Sequence, residues 1–327
     1  MKYIKNTSLN PYFNLAFEEY ILNNFRDDDY VLLWQNENTI VIGKHQNTAQ
    51  EINQEVVEEL GVNVVRRNTG GGAVYHDLGN INFSFISNWK IENGVNYEIF
   101  LKPIIKALNS IGVKAIKEGR NDLVVEGRKI SGNAQTIRHD RILHHGTLLF
   151  DSDLTIMERV LNVSPDKIAS KGIKSIRARV ANIKEFLQVD MDVSQFMDLL
   201  VESFFKYSET VEMRLTDHQL LEIETLATEK YQSWDWNYGN SPQSNYVKSM
   251  RLECGKVEIS LFIDKGLIET CKIGGDFLAL KDVADIERAM IGVKYNIDEI
   301  RKSLGQFNLG LYFGPTTTEE ILHYFIE

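Results

Sequence analysis

Apolar positions near the start of the chain repeat at helical spacing. Phe13, Ala16, Phe17 and Tyr20 fall three to four residues apart, which predicts a helix with that face turned inward. Asn10 can cap it and Pro11 suits its first turn. Two apolar runs follow, VLLW at 31–34 and TIVIG at 39–43, separated by polar QNEN, a pattern that predicts a hairpin. VNVVRR is a short strand ending at Arg67, and INFSFIS alternates, with Ile81, Phe83 and Phe85 on one side and Asn82 and Ser84 on the other. DLVVEGRKISGNAQ (122–135) predicts a hairpin turning at Glu126-Gly127, and HHGTLLFD (144–151) a further strand. Two amphipathic helices come next, one after Asp192 carrying Phe196, Leu199, Leu200 and Phe204, the other from about Thr216 carrying Leu220, Ile223, Leu226 and Ala227.

At 238–245 the segment YGNSPQSN clusters Gly, Pro, Ser and Asn as linkers do. Beyond it, KVEISLFIDKGLIETCKIGG predicts a hairpin turning at Lys265-Gly266, followed by helices, the last capped by Thr317 or Thr318. The expected division is therefore a large domain over 1–243 and a small α+β domain over 244–327. Strands outnumber helices before residue 150 and do not alternate with helices of ten to fifteen residues, which opposes a Rossmann sheet and predicts a mixed α+β sheet. The chain has no internal repeat and no low-complexity segment.

Length agrees with this division, since 327 residues exceed one ordinary core. With 43% hydrophobic and 25% charged residues the chain reads as a soluble globular protein. No run of 18 apolar residues predicts a membrane span, and MKYIKNTSLNPYF lacks the apolar region of a secretory signal. Only two cysteines, Cys254 and Cys271, fit a reducing compartment, so a cytoplasmic protein is expected. A formal net charge of −10 argues against general nucleic-acid binding.

The chemistry concentrates in RRNTGGGAVYHDLGN, residues 66–80. Glycines let a ligand approach the backbone, and a run of free N–H groups can hold an anion. Arg66 and Arg67 stand beside the run, and side-chain alternation sends only one of them toward a ligand. Neither GxxxxGK[ST] nor G-x-G-x-x-G opening a helix is present. In GRNDLVVEGRKISGNAQ, Lys129 sits on a strand beside Ser131, Gly132 and Asn133, where its mobile point charge can reach a phosphate or carboxylate. Lys171, Lys174, Arg177 and Arg179 form a local basic patch in an acidic chain. Each of these segments taken alone is also compatible with an exposed turn or a solvated face.

Taken together they are specific. NPYFNLAFEEYIL, LLWQNENTIVIGKHQN, RRNTGGGAVYHDLGN, GRNDLVVEGRKISGNAQ, HHGTLLFD, KGIKSIRARVANI and SWDWNYG occur in the order found in lipoate–protein ligases of the two-domain bacterial type. The chain resembles that family over nearly its whole length, more strongly before about residue 240 than after it. The resemblance implies a mixed-sheet domain of the biotin/lipoate ligase kind, related to class II synthetase cores, with a small accessory domain. It implies a two-step reaction. Lipoate and ATP give lipoyl-AMP and pyrophosphate, and the lipoyl group then passes to an acceptor lysine. The implied acceptors are lipoyl domains of 2-oxoacid dehydrogenase complexes and the glycine cleavage H protein, and the enzyme is expected to act as a monomer.

Residue by residue, the resemblance puts Arg67, Gly72, Ala73, Val74, Tyr75 and Lys129 at the ATP. Lys129, Arg67, Gly72 and His145 fall at the lipoate, Lys129 being the catalytic group that touches both carboxylate and phosphate. Asp122 is the support for Mg²⁺. His76 and His145 lie in family motifs without an assigned chemical role, and His144 and His145, neighbours on a strand, face opposite ways and cannot share a metal. A lipoyl pocket must be apolar, for which Trp34, Val41, Val74 and the region of Phe83 to Phe85 are candidates. Attack on a phosphate mainly needs positioning and charge stabilisation, and no enzyme nucleophile is required. Lipoyl or octanoyl transferases of the same fold use a cysteine thiol, but both cysteines here lie beyond residue 250. Biotin ligases carry a GRGRxG loop, which is missing. A non-catalytic lipoate-binding protein is the remaining alternative, opposed by the presence of Lys129 and the glycines.

Overall fold

The computed structural model describes residues 1–90, 94, 96–162, 179–207, 209–238, 246–264 and 266–325. Along the first part of the chain run β1 (Lys2–Lys5), β2 (Tyr30–Trp34), β3 (Thr39–Ile42), β4 (Asn63–Arg66), β5 (Val74–His76), β6 (Asn80–Asn88), β7 (Ile116–Glu118), β8 (Asp122–Val125), β9 (Arg128–Arg138), β10 (Arg141–Leu149) and β11 (Val211–Met213). After them come β12 (Tyr246–Leu252), β13 (Gly255–Asp264) and β14 (Leu267–Gly275). The large sheet has the order β11-β1-β2-β6-β10-β9-β8-β7, a second sheet the order β4-β3-β5, and the third is the meander β12-β13-β14. Pairing in the large sheet is parallel across β11, β1 and β2 and antiparallel from β2 onward. This is the mixed α+β sheet expected from the pattern.

One expected hairpin does not form. β2 and β3 belong to different sheets, β2 between β1 and β6, β3 between β4 and β5. The apolar pattern marked both strands but not their partners. All five residues of β2 are buried, so it needs neighbours on both edges and cover on both faces. The polar link is not a solvent turn either, because Asn36 within it is fully buried and its Oδ1 accepts from Asn14 Nδ2 at 2.9 Å.

Side-chain alternation splits the core. Val31, Leu33, Ile81, Phe83 and Phe85 pack on one face of the large sheet with the helices Glu98–Ser110 and Val193–Tyr207. Leu32, Trp34, Val41 and Val65 pack on the other with the helix Pro11–Asn24. Asn10 Oδ1 caps that helix by accepting from the N–H of Tyr12 and Phe13. The helix is buried on more than the predicted face, for Asn14, Glu18 and Glu19 are as deep as its apolar residues. On β6 the polar side, Asn82 and Ser84, is equally buried, because it faces this helix rather than water.

Other local signals produced the elements they predicted. The β8–β9 turn has positive φ at both Glu126 (52°) and Gly127 (74°), the mirror-image turn that matches strand twist. Thr216 and Gln219 form a reciprocal cap for Asp217–Leu226, but Leu220 of that helix is exposed rather than inward. Thr317 Oγ1 accepts from Glu320 N–H and caps Thr318–Phe325. The strands and helices after residue 245 enclose an apolar core of their own, built around Val257, Ile259, Phe277, Ile300, Phe313 and Phe325. The segment 239–245 with the expected domain join, Lys265, and the basic residues Lys171, Lys174 and Arg177 lie outside the described residues. Among the described residues, no helix is long and apolar enough to cross a membrane.

Candidate active site

A cleft of about 490 Å³ opens where β5, the β8–β9 hairpin and β10 converge. Arg67, Gly72, Ala73, Val74, Tyr75, Asp122, Lys129 and His145, all singled out in the sequence, line it. So do Trp34 and Val41. Phe83 and Phe85 do not line it. Alternation along β6 turns them to the opposite face, where Phe85 meets the rings of Phe100 and Phe204. Asn82 takes their place at the wall.

The two arginines divide as strand alternation requires. Arg66 points away from the cleft and is consumed by structure. Its guanidinium donates to the carbonyls of Gly43, Lys44, Gln46, Trp236 and Asn237 and to Thr48 Oγ1. Arg67 reaches the cleft wall, yet its donors are also engaged. Nε donates to Thr69 Oγ1 (3.0 Å), Nη1 to the Val41 carbonyl (3.1 Å), and Nη2 to the carbonyls of Gly70 (2.7 Å) and Gly72 (2.9 Å). Burial pulls this guanidinium down to about 10, so it remains charged at neutral pH. Arg67 therefore moulds the glycine loop and brings positive potential to it.

The glycines are bare because chain passes on both sides of them. A Cβ on Gly43 would lie 1.9 Å from the Gly71 carbonyl oxygen, and one on Gly70 would lie 2.2 Å from the Phe277 carbonyl oxygen. Gly71 has φ of 92°, and its N–H donates to that same Phe277 carbonyl at 2.7 Å. Part of what resembled an anion cradle is thus a seat for the C-terminal region. Leu278 from that region reaches the cleft wall.

Behind the loop lies a buried chain of hydrogen bonds. Thr69 Oγ1 accepts from Arg67 Nε and hydrogen-bonds His145 Nε2 at 2.7 Å. A carboxylate only accepts, so His145 Nδ1–H donates to Glu18, 2.8 and 3.0 Å from its two oxygens. Ser84 Oγ donates to Glu18 Oε1 at 2.6 Å and accepts from Trp34 Nε1 at 2.9 Å. Glu18 and Thr69 escaped the reading of the sequence. A signal for Glu18 was available, because a helix apolar on every side is buried all round, and polar residues on it need partners. His144 faces the other way, as expected for a neighbour on a strand, and stacks on Phe100.

The opposite wall carries charge. Lys129 Nζ pairs with Asp122 Oδ1 at 2.7 Å. Its backbone is fixed between Arg179 and Ala181 by bonds of 2.8 and 2.9 Å. Gly132 leaves room for the side chain, since a Cβ there would sit 2.8 Å from Nζ. Glu118 faces Asp122 across β7 and β8, and both line the cleft with Asn121. Among the described residues no cluster of three or more His, Cys, Asp or Glu could hold a metal alone. Two carboxylates in the cleft wall do suit Mg²⁺, which takes one or two carboxylates and fills its shell from substrate and water. Both cysteines are buried in the C-terminal region, away from the cleft, and burial pushes the Cys254 thiol up to about 12.

The comparisons agree with one another. The family described as the lipoyl protein ligase A/B catalytic domain matches residues 10–205. The family described as the bacterial lipoate protein ligase C-terminus matches residues 241–325. The chain is 46% identical to the lipoate-protein ligase LplJ of Bacillus subtilis, covering 98% of this chain and 99% of that one. It is 42% identical to lipoate–protein ligase 1 of Staphylococcus aureus, again covering 98% and 99%. Among solved structures, P. falciparum LipL1 in complex with lipoate superposes with a TM-score of 0.82 at 28% identity over 99% of each chain. A lipoate-protein ligase A bound with ATP superposes with a TM-score of 0.60 at 25% identity, over 73% of this chain and 96% of the other.

Proposed function

The chain belongs to the lipoate–protein ligase family, and we propose that it activates lipoate with ATP and transfers the lipoyl group to a lysine of an acceptor protein. The observation that carries this reading is the polarity of this cleft. One side holds Lys129, Asp122 and Glu118, and the other holds Leu15, Trp34, Val41 and Val74. A carboxylate on an apolar chain fits such a cleft in one direction only, with its reactive end at the lysine.

In the first step a lipoate carboxylate oxygen attacks the α-phosphorus of ATP. The bond from that phosphorus to the bridging oxygen breaks, and pyrophosphate leaves. Negative charge builds on the phosphoryl oxygens, where the Lys129 ammonium acts once it leaves Asp122. Gly72, Ala73, Val74 and Tyr75 offer backbone along the nucleotide, and Arg67 holds that backbone in shape. His145 stands beside them as a lipoate-side residue whose ring is oriented by Glu18 and Thr69. Asp122 with Glu118 would hold Mg²⁺, which would supply charge neutralisation at the phosphates. In the second step a neutral acceptor amine attacks the acyl carbonyl. The carbon–oxygen bond to AMP breaks, the amine loses a proton, and an amide remains.

The proposed acceptors are lipoyl domains of 2-oxoacid dehydrogenase complexes and the glycine cleavage H protein. We place the reaction in the cytoplasm, carried by a monomer with a catalytic domain over 1–243 and an accessory domain over 244–327. A thiol-based transferase of the same fold is opposed by the burial of both cysteines outside the cleft. The test is incubation with labelled ATP, Mg²⁺ and lipoate. Lipoyl-AMP should form without any acceptor, and apo acceptors added afterwards should gain the lipoyl mass. Formation of the adenylate only when acceptor is present would reject the two-step order.

A further inference from the structure

The chain that enters the glycine run is gripped from two sides. Arg67 and Thr69 are held on the side of the cleft. Arg66 and Asn68, which alternate with them, turn the other way, and both end on the segment 230–237. Arg66 N–H donates to Asn237 Oδ1 at 2.9 Å, and the Arg66 carbonyl accepts from Trp236 Nε1 at 2.8 Å. Asn68 is buried, its Oδ1 accepts from Lys230 Nζ at 3.1 Å, and its Nδ2 donates to the Tyr231 hydroxyl at 2.5 Å. An ammonium only donates, so Asn68 meets Lys230 with oxygen. A carboxylate only accepts, so the Tyr231 proton goes to Glu19 Oε2, 2.7 Å away, and the hydroxyl accepts from Asn68. Lys230 Nζ donates to the same Glu19 oxygen at 2.6 Å and lies 4.0 Å from the centre of the Trp236 ring. Arg138 Nη1 donates to the other Glu19 oxygen at 2.6 Å.

Lys230 and Tyr231 close a π turn over Ala227–Tyr231, in which the Gln232 N–H reaches back to the Ala227 carbonyl at 2.9 Å. Turns of this kind are rare and recur at functional sites. This one brings two consecutive side chains to one carboxylate and to one loop residue. Neither Lys230 nor Asn68 lines the cleft. Glycine restrains the backbone little, so the path through Gly70, Gly71 and Gly72 depends on where the chain is pinned on each side of the run. After it, β5 is pinned by pairing with β3. Before it, the side chain of Asn68 is tied to Lys230 and Tyr231.

We propose that Lys230 is a positioning residue for the nucleotide. Through Asn68 it fixes where the chain enters the glycine run, and so fixes the backbone of residues 72–75 that ATP meets. The proposal rests on the reading of this cleft as a ligase site and adds a determinant that lies outside it. Lys230 itself touches neither substrate nor reacting atoms.

The experiment follows pyrophosphate release with lipoate and Mg²⁺ while ATP is varied. The proteins are wild type, Lys230→Met, Asn68→Ala, their combination, and Arg138→Met. Lys230→Met keeps the apolar stem beside Trp236 and removes the donor. Asn68→Ala removes the other end of the bond and leaves Lys230 on Glu19. Each is expected to lower kcat/KM for ATP on the order of 10- to 100-fold, the scale of a small misplacement far from the chemistry. The combination is expected to lose no more than Lys230→Met alone, because both changes break one link. Arg138→Met strips another partner from Glu19 but leaves Asn68 held, so it is expected to lose stability and keep its kcat/KM. If Lys230→Met does not fold, Asn68→Ala set against Arg138→Met decides. Wild-type kcat/KM in a folded Lys230 or Asn68 variant, losses that multiply in the combination, or an equal loss in Arg138→Met overturns the proposal. If the wild type binds ATP but releases no pyrophosphate, the ligase reading fails, while calorimetric Kd values for ATP across the same proteins still judge Lys230. Absence of ATP binding to the wild type defeats both.

Discussion

Gly70→Ala probes the seam between the glycine loop and the C-terminal region. The new Cβ would stand 2.2 Å from the Phe277 carbonyl oxygen and 3.2 Å from both Ala279 N and Leu278 Cα. All three are backbone atoms, so no side chain can swing aside. Ordinary contact begins near 3.4 Å, which leaves an overlap of about 1 Å to be relieved. Overpacking of this kind costs about 1–3 kcal/mol. The bond from Gly71 N–H to Phe277 is lost on separation in both proteins and does not enter the difference. The overlap alone, roughly 1–3 kcal/mol, corresponds to a shift of about 5- to 150-fold in the docking equilibrium. It falls on docking because residues 246–325 keep their own core. Other contacts across the seam include the Lys44–Asp282 pair at 2.7 Å, the stacking of His45 on Phe277 at 4.7 Å, side-chain bonds from Arg120 to the Glu253 carbonyl and from Thr136 to the Leu280 carbonyl, and the backbone bonds Gly275 to His45 and Ile137 to Leu280.

The assay is energy transfer between labels on cysteines introduced at Leu221 and Ile291, both exposed. The native cysteines are buried and compete little for the label. Wild type should give one short distance, and Gly70→Ala a broad, longer distribution, with the unfolding of neither core much changed. An identical distance distribution in the two proteins would refute the reasoning.

Lys129→Ala should cost at least about 100-fold in lipoyl-AMP formation, since it removes a charge placed for the transition state; activity within a few-fold of wild type would remove Lys129 from the mechanism. Cys254→Ser combined with Cys271→Ser should retain ligation per folded molecule, because both thiols are buried away from the cleft; a folded double variant that still makes lipoyl-AMP but transfers nothing would point to a thiol carrier. Glu19 carries an acid-dependent part of the stability. Burial alone would raise its carboxyl, but the Lys230 charge and bonds from Lys230, Tyr231 and Asn68 pull it down to about 2 from 4.5. A depressed carboxylate contributes fully above its unfolded value and loses that contribution as pH falls from 4.5 toward 2. The loss is up to about 3 kcal/mol, offset in part because burial also pulls the Lys230 ammonium down. Denaturant titrations at pH 6 and pH 3 should show a smaller difference for Glu19→Gln than for wild type, and an equal difference would contradict the assignment.

Local signals in the sequence were legible where the physics is local. The cap at Asn10, the turn at Glu126-Gly127 and the reciprocal cap at Thr216 depend on residues within a few positions, and each formed. The strands were legible too, but pairing is a relation between distant segments, and β2 and β3 took partners that the QNEN link between them gave no hint of. The cleft was legible in its motif residues. It was less so in its support, because the apolar surroundings of Glu18 signal that it needs a partner but not that the partner is His145, 127 positions away. Even Arg67, put at the nucleotide by the family resemblance, has a task the sequence did not reveal, which is holding the carbonyls of the loop.

The glycine loop shows why function and fold share one stretch of chain here. A loop that only held phosphate would need free N–H groups and open space before them. Here the Gly71 N–H is taken by Phe277, and Gly70 is a glycine because that carbonyl passes so close. The same loop forms the cleft wall through Gly71 and Gly72, and its carbonyls are gripped by Arg67. Any ligand that reshapes the loop must therefore alter the seat of the C-terminal region, and any displacement of that region frees a backbone donor at the cleft. This is a physical coupling between two regions through one shared hydrogen bond and one steric limit. It suits a reaction whose first step needs water excluded and whose second must admit a protein lysine. The distance measurement across Leu221 and Ile291, repeated with lipoate and a non-hydrolysable ATP analogue, reads that coupling directly. Its sign follows from the bond. A nucleotide that competes for the Gly71 N–H lengthens the distance, whereas one that leaves the bond intact keeps the C-terminal region seated.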